Sequence, residues 1–130
     1  MSIENQKIEL LRTVKEYINN LRKGITKSAE YFQSGEDEKG FNMVTSIAEG
    51  INWIADAIES TRDIVNKNIF LDNLNDKLNQ IVEAMENRDT VLIGDLFQYE
   101  LLPIIDEMDK VVARTTGKHL PAFVELMQYE

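Results

Sequence analysis

The chain has 130 residues, with 23 acidic side chains against 14 basic ones, a formal charge of −9 and no cysteine. A single domain of this size buries a core without metal or disulfide support, and the missing cysteines exclude a disulfide framework, a thiol nucleophile and thiolate metal centres. The charge sets a phosphate backbone or an anionic membrane leaflet against most of the surface, and the basic cluster Arg22, Lys23 and Lys27 is too small to reverse that, so nucleic acid is not an expected partner.

The opening stretch MSIENQKIELLRTVKEY alternates charge with apolar residues and lacks the uninterrupted apolar run of a signal peptide. No other segment approaches the roughly 18 apolar residues of a membrane span, so no membrane insertion is expected. Together these features lead to the expectation of a soluble, cytoplasmic protein.

With two prolines, six glycines and no strand-like alternation, the chain reads as all-helical. A first helix is predicted over residues 3–33. Leu11, Ile18, Ile25 and Phe32 form one heptad line, Val14, Leu21 and Ser28 a second, and Leu10, Tyr17, Gly24 and Tyr31 a flanking row. Ser34-Gly35 ends it, because glycine takes the left-handed C-terminal position without steric cost. Asp37 is the predicted cap of a second helix running to about Asn66, with a main stripe of Phe41, Val44, Ala48, Ile51, Ala55 and Ile58, widened by Ile47 and Ile54.

A third helix carries Leu71, Leu74, Leu78, Ile81 and Met85, with Val82 beside them. Asn87-Arg88-Asp89 forms a tight turn, with Asn87 as the stop and Asp89 as the next cap, and so short a connection makes the flanking helices antiparallel neighbours. The fourth helix bears Ile93, Leu96, Phe97, Ile104, Met108 and Val111, with a kink expected at Pro103. Thr115 to Gly117 are expected to break it, and Pro121 opens a short amphipathic helix presenting Phe123, Leu126 and Met127. The expected fold is an antiparallel up-down-up-down four-helix bundle over residues 1–114, followed by a C-terminal tail, residues 115–130, packed on the bundle or facing a partner.

One row fits the bundle seam poorly. Ser46, Gly50, Trp53 and Ala57 share a face of the second helix away from the centre of its isoleucine stripe. A glycine in a helix interior costs roughly 1 kcal/mol against alanine, so a solvent-facing position does not account for Gly50. Small residues admit a close neighbour, and the indole covers a broad contact beside them. Two neighbours qualify: another part of the same chain, such as Phe123 and Leu126 of the tail, or a protein partner or second copy anchored on Trp53. Leu102 also projects towards the polar side of an ideal fourth helix and joins the candidate interface with Phe123, Leu126 and Met127.

Chemistry is sparse. A carboxylate-bridged di-iron bundle needs a Glu-x-x-His pair on each of two helices, whereas the one histidine, His119, lies in the tail. TTGKHL lacks the remaining residues of a phosphate loop, and SGEDEKG lacks the alternating ligands of a calcium hand. Glu100 and Glu107 flank an apolar stripe that their stems can cover. No catalytic constellation, metal site or cofactor is expected. The chain reads as a non-enzymatic interaction module, a homodimer or an adaptor or chaperone-like bundle. The alternative is a small-ligand or metal-binding bundle with a site among helices 1, 2 and 4, using Tyr17, Tyr31, Tyr99 and Glu100.

YFQSGEDEKGFNMVTSIAEGINWI and AMENRDTVLIGDLFQYELLPIIDEM together resemble small uncharacterised helical proteins and domains of Gram-positive bacteria. The likeness spans roughly residues 30 to 110 and rests on Tyr31, Gly35, Gly50, Trp53, Asp89, Tyr99, Glu100 and Pro103, with Glu49 where the pattern has its acidic residue before the glycine. It implies a helical fold and carries over no activity.

Overall fold

The computed structural model describes residues 2–65 and 69–117, apart from the side chains of residues 69–72. Every element among them is helical. Helix α1 (Ile3–Gln33) starts at Ser2, whose hydroxyl accepts from the Asn5 amide at 3.1 Å. Both heptad lines of α1 are buried, and Leu10, Tyr17, Gly24 and Tyr31 are half-buried as a flanking row. At the C-terminus the Glu36 amide donates to the Tyr31 carbonyl and the Gly35 amide to that of Phe32, with Gly35 at φ +80. This closes a Schellman turn.

Helix α2 (Asp37–Ser60) is capped at Glu36 rather than Asp37, and the Glu36 side chain makes no cap hydrogen bond. It instead pairs with Lys39 at 2.9 Å. The buried stripe of α2 is Val44, Ile47, Ile51, Ile54 and Ile58, whereas Ala48 is exposed. The isoleucines expected to widen the stripe are its centre. The helix stops six residues short of Asn66. Thr61, fully buried, turns its hydroxyl back onto the carbonyls of Ala57 and Ile58, and a short α3 (Arg62–Val65) follows. Such back-bonding competes with helix continuation. Asn66 itself lies outside the described residues.

Helix α4 (Ile69–Glu86) buries Leu74, Ile81 and Ala84 but leaves Val82 exposed. Its end repeats the first turn: the Asp89 amide donates to Ala84 and the Arg88 amide to Met85. Arg88, not Asn87, takes the left-handed position, at φ 52. Asp89 then caps α5 (Thr90–Asp95), accepting from the Leu92 amide at 3.1 Å. A π-helical segment, Leu96–Leu101, leads directly into α6 (Leu102–Gly117). The Leu102 amide donates to Phe97, five residues back. Proline crowds the carbonyl four residues before it, and the wider turn ahead of Pro103 relieves that crowding. The extra residue also rotates the register, which leaves Leu102 half-buried against the core instead of on the polar side. The helix does not break at Thr115: Thr115 and Thr116 are buried within α6, their hydroxyls donating to the Val111 and Val112 carbonyls.

Helix α1 packs on α2 along one side and on the continuous α5–α6 rod along another, and α4 packs on that rod. Lys7 meets Asp63, Tyr17 meets Trp53 and Ser28 donates to the Gly40 carbonyl, so residues advancing along α1 meet residues receding towards the start of α2. On the other side Gln33 donates to Gln98, while Arg22 bridges Asp106 at 2.8 Å and Asp109 at 3.1 Å. The Phe97 ring is fully enclosed at the centre of the core and meets Phe32 edge-on, with ring centroids 6.3 Å apart. No helix among the described residues is long and apolar enough to cross a membrane.

Candidate functional site

The flanking row of α1 and the second row of α2 meet on the outer seam of the α1/α2 pair. The Tyr17 ring stands edge-on to Trp53, centroids 5.4 Å apart and planes at 71°. Gly50 lies directly beneath the phenol: a β-carbon there would sit 2.4 Å from the Tyr17 hydroxyl oxygen and 3.1 Å from the nearest ring carbon. The glycine therefore makes room for a side chain of the same molecule. The aromatic pair follows, because the phenol can lie flat across α2 only where α2 has no side chain.

The indole stays 40% exposed even so. It forms one wall of an open hollow of about 420 Å³, lined by Thr13, Tyr17, Ser46, Glu49, Gly50 and Trp53. A second hollow of about 290 Å³ shares Tyr17 and Ser46 as walls and extends past Asn20, Gly24, Asn42 and Met43. Together they make a furrow along the seam, with an aromatic step in the middle. Glu49 and Asp56 lie one helical turn either side of Trp53 on the same stripe, both exposed. Neither makes a hydrogen bond or ion pair with another described residue, whereas Glu36 and Glu59 at the two ends of α2 are paired with Lys39 and Arg62. The rim of the furrow beside the indole thus carries uncompensated negative charge.

The other expected positions divide. Ser46 is exposed on the furrow wall, while Ala57 is buried, its carbonyl taken by the Ser60 and Thr61 hydroxyls. Leu102 belongs to the α6 side of the core, away from this row. Phe123, Leu126, Met127 and His119 lie outside the described residues. Tyr17, Tyr31, Tyr99 and Glu100 do not form one site. Tyr31 is two heptads, about 21 Å, along α1 from Tyr17, and its ring is flanked by the Lys27 and Lys39 ammonium groups at 5.0 and 5.7 Å. Tyr99 is exposed on the π segment, and Glu100 is paired with Lys77 of α4 at 3.3 Å. Among the described residues no three acidic or histidine side chains are placed to hold a metal ion.

Thr13, Asn20, Asn42 and Met43 line the furrow without having drawn notice in the sequence. Their signal was available only as a pairing: Tyr17 in one half-buried row opposite Gly50 in another, a large residue facing a hole.

The described residues form a set of helices with an open furrow on the α1/α2 seam. The chain belongs to the family described as Domain of unknown function (DUF8042), whose model matches residues 9–111. That span takes in most of α1, all of α2 to α5 and the larger part of α6, so it contains the entire furrow. No curated protein and no solved structure matches the chain.

Proposed function

We propose that this protein is a non-enzymatic interaction module that engages another protein through the furrow at Trp53. Its rods α1, α2, α4 and α5–α6 close as an up-down-up-down four-helix bundle in a soluble, cytoplasmic molecule. The observation that carries the reading is the state of the indole. The Tyr17 ring, seated over Gly50, packs edge-on against it, yet the indole stays 40% exposed on the wall of an open hollow. A pre-oriented aromatic beside an open hollow is the form of an interface anchor, because little side-chain freedom remains to be lost on binding.

An adaptor role fits better than a homodimer. A two-fold interface sets the same patch against itself, which brings Glu49 and Asp56 of both copies into one interface in a molecule already at −9. A small-ligand site retains only Tyr17 of its expected residues, and the breadth of the furrow suits a chain segment more than an enclosed ligand.

The reading is tested by placing a photo-crosslinking residue at position 46 in the furrow, or at position 83 on the exposed side of α4, in cells. Adducts to another protein are expected from position 46 alone and lost in Trp53→Ala. Equal adduct patterns from both positions, or none from position 46, would remove the proposal.

A further inference from the structure

The same furrow carries information about what fills it. We infer that its occupant is a basic amphipathic segment of another protein, seating an apolar or aromatic side chain against Trp53 and placing lysine or arginine groups on Glu49 and Asp56. The inference rests on the interaction role proposed above and adds the chemistry of the partner.

Three observations converge. The hollow is walled by an aromatic pair, and an indole face attracts both apolar groups and cations. The two carboxylates on the indole's own stripe make no hydrogen bond or ion pair with any described residue, whereas Glu59 near the end of the same helix pairs with Arg62. The furrow extends from Thr13 and Trp53 to Gly24 and Asn42, a helical-groove length over which side chains of an incoming helix would repeat every three or four residues. A second copy of the chain brings like charge to this rim. The chain's own residues 118–130 bring one lysine against two glutamates, the wrong balance for it.

The only tryptophan of the chain is in the site, so its emission reports binding directly. The probes are two amphipathic peptides of about 16 residues sharing a Leu/Phe face, one with lysine and one with glutamate on the polar face. The lysine peptide is expected to shift Trp53 emission and to bind about tenfold more weakly to the Glu49→Lys/Asp56→Lys variant. Its affinity is expected to stay within about twofold for the Glu83→Lys/Glu86→Lys variant, which changes net charge equally on exposed positions of α4. It should also weaken from about 50 to about 500 mM salt. Melting curves establish that each variant folds.

Equal weakening by both charge variants would overturn the inference, since diffuse attraction to an acidic protein would then suffice. Binding of the glutamate peptide instead, lost in Trp53→Ala, would overturn it while leaving the interaction module standing. So would silence from both peptides alongside persistent crosslinks from position 46. A change of Trp53 emission in the peptide-free Phe123→Ala/Leu126→Ala/Met127→Ala full-length variant would assign the furrow to the chain's own tail and overturn it too.

Discussion

Three helical glycines look alike in the sequence and differ sharply in what surrounds them. At Gly40 a β-carbon would meet three atoms of the buried Phe32 ring at 2.8 to 2.9 Å, and that ring is hemmed in by Phe41 and Phe97. At Gly50 the obstacle is the far end of Tyr17, which can swing outward. At Gly24 nothing lies nearer than 4.0 Å. Gly24→Ala should therefore stabilise by about 0.5 to 1 kcal/mol through helix propensity, whereas Gly40→Ala should cost about 1 to 3 kcal/mol through overpacking. Gly50→Ala should fall between them. It should be about 1 kcal/mol more favourable in a Tyr17→Phe background, where the clashing oxygen is gone. Urea denaturation of wild type, the three glycine variants, Tyr17→Phe and the double variant gives the order; Gly40→Ala as stable as Gly24→Ala would contradict the packing described. Gly50 is legible in the sequence as an anomaly, but not its cause, because the phenol that requires it lies 33 positions earlier.

At the scale of elements, two turns share one geometry and differ in how well their residues suit it. Both end in a Schellman pair with a left-handed residue, then start a new helix at the next position but one. The first uses Gly35 and Glu36, and the second uses Arg88 and Asp89. Aspartate is short enough to reach back to the Leu92 amide, whereas the longer Glu36 chain turns to Lys39. Asp89→Ala should therefore cost about 1 kcal/mol, and Glu36→Ala clearly less, since a fully exposed ion pair is screened by solvent. Matched thermal melts of the two variants decide it: equal losses would mean that the cap bond contributes nothing. Arg88 tolerates φ 52 in a position that favours glycine, and its guanidinium lies over the Phe41 ring at 5.6 Å. That contact reaches from the second turn to the start of α2 and offsets part of the strain. The span of α1 and the buried positions Ile93, Leu96, Phe97, Ile104, Met108 and Val111 of the α5–α6 rod could be read from periodicity, whereas the equally buried Leu101, Ile105 and Val112 were missed. The end of α2 at Thr61 could not, since it depends on a hydroxyl turning inward, and neither could the π segment, which is a register change that a uniform 100° wheel cannot represent.

Across the whole molecule, ion pairs join elements distant in sequence. Arg22 of α1 bridges Asp106 and Asp109 of α6, and Lys7 near the start of α1 meets Asp63 of α3 at 2.9 Å. The hydrogen bond from Lys7 holds the Asp63 carboxyl below its ordinary value. A folded-state value lower than the unfolded one contributes stability above the ordinary aspartate value of about 3.9, and that contribution is lost as pH falls through the folded value. Asp63→Asn should accordingly lower the melting temperature at neutral pH by a small amount, with the difference from wild type shrinking to nothing in strong acid. A difference that persists unchanged at low pH would mean that Asp63 acts through packing rather than charge. Because the site is solvent-exposed, added salt should shrink the neutral-pH difference as well.

By itself the sequence determined that the chain is helical, which residues of the two heptad lines of α1 face inward, part of the inward face of the α5–α6 rod, and that the row holding Gly50 and Trp53 needed an explanation. Those properties are local: they follow from spacing along one helix and the cost of each residue within it. Only the tertiary structure decided that Tyr17 is what Gly50 accommodates, that Tyr17, Tyr31, Tyr99 and Glu100 do not form one site, and that Glu49 and Asp56 stand beside a half-open indole without a partner among the described residues. Each of these depends on which helix lies against which and in what register, and many registers are compatible with the same apolar periodicity until side chains from separate helices must fit the same space.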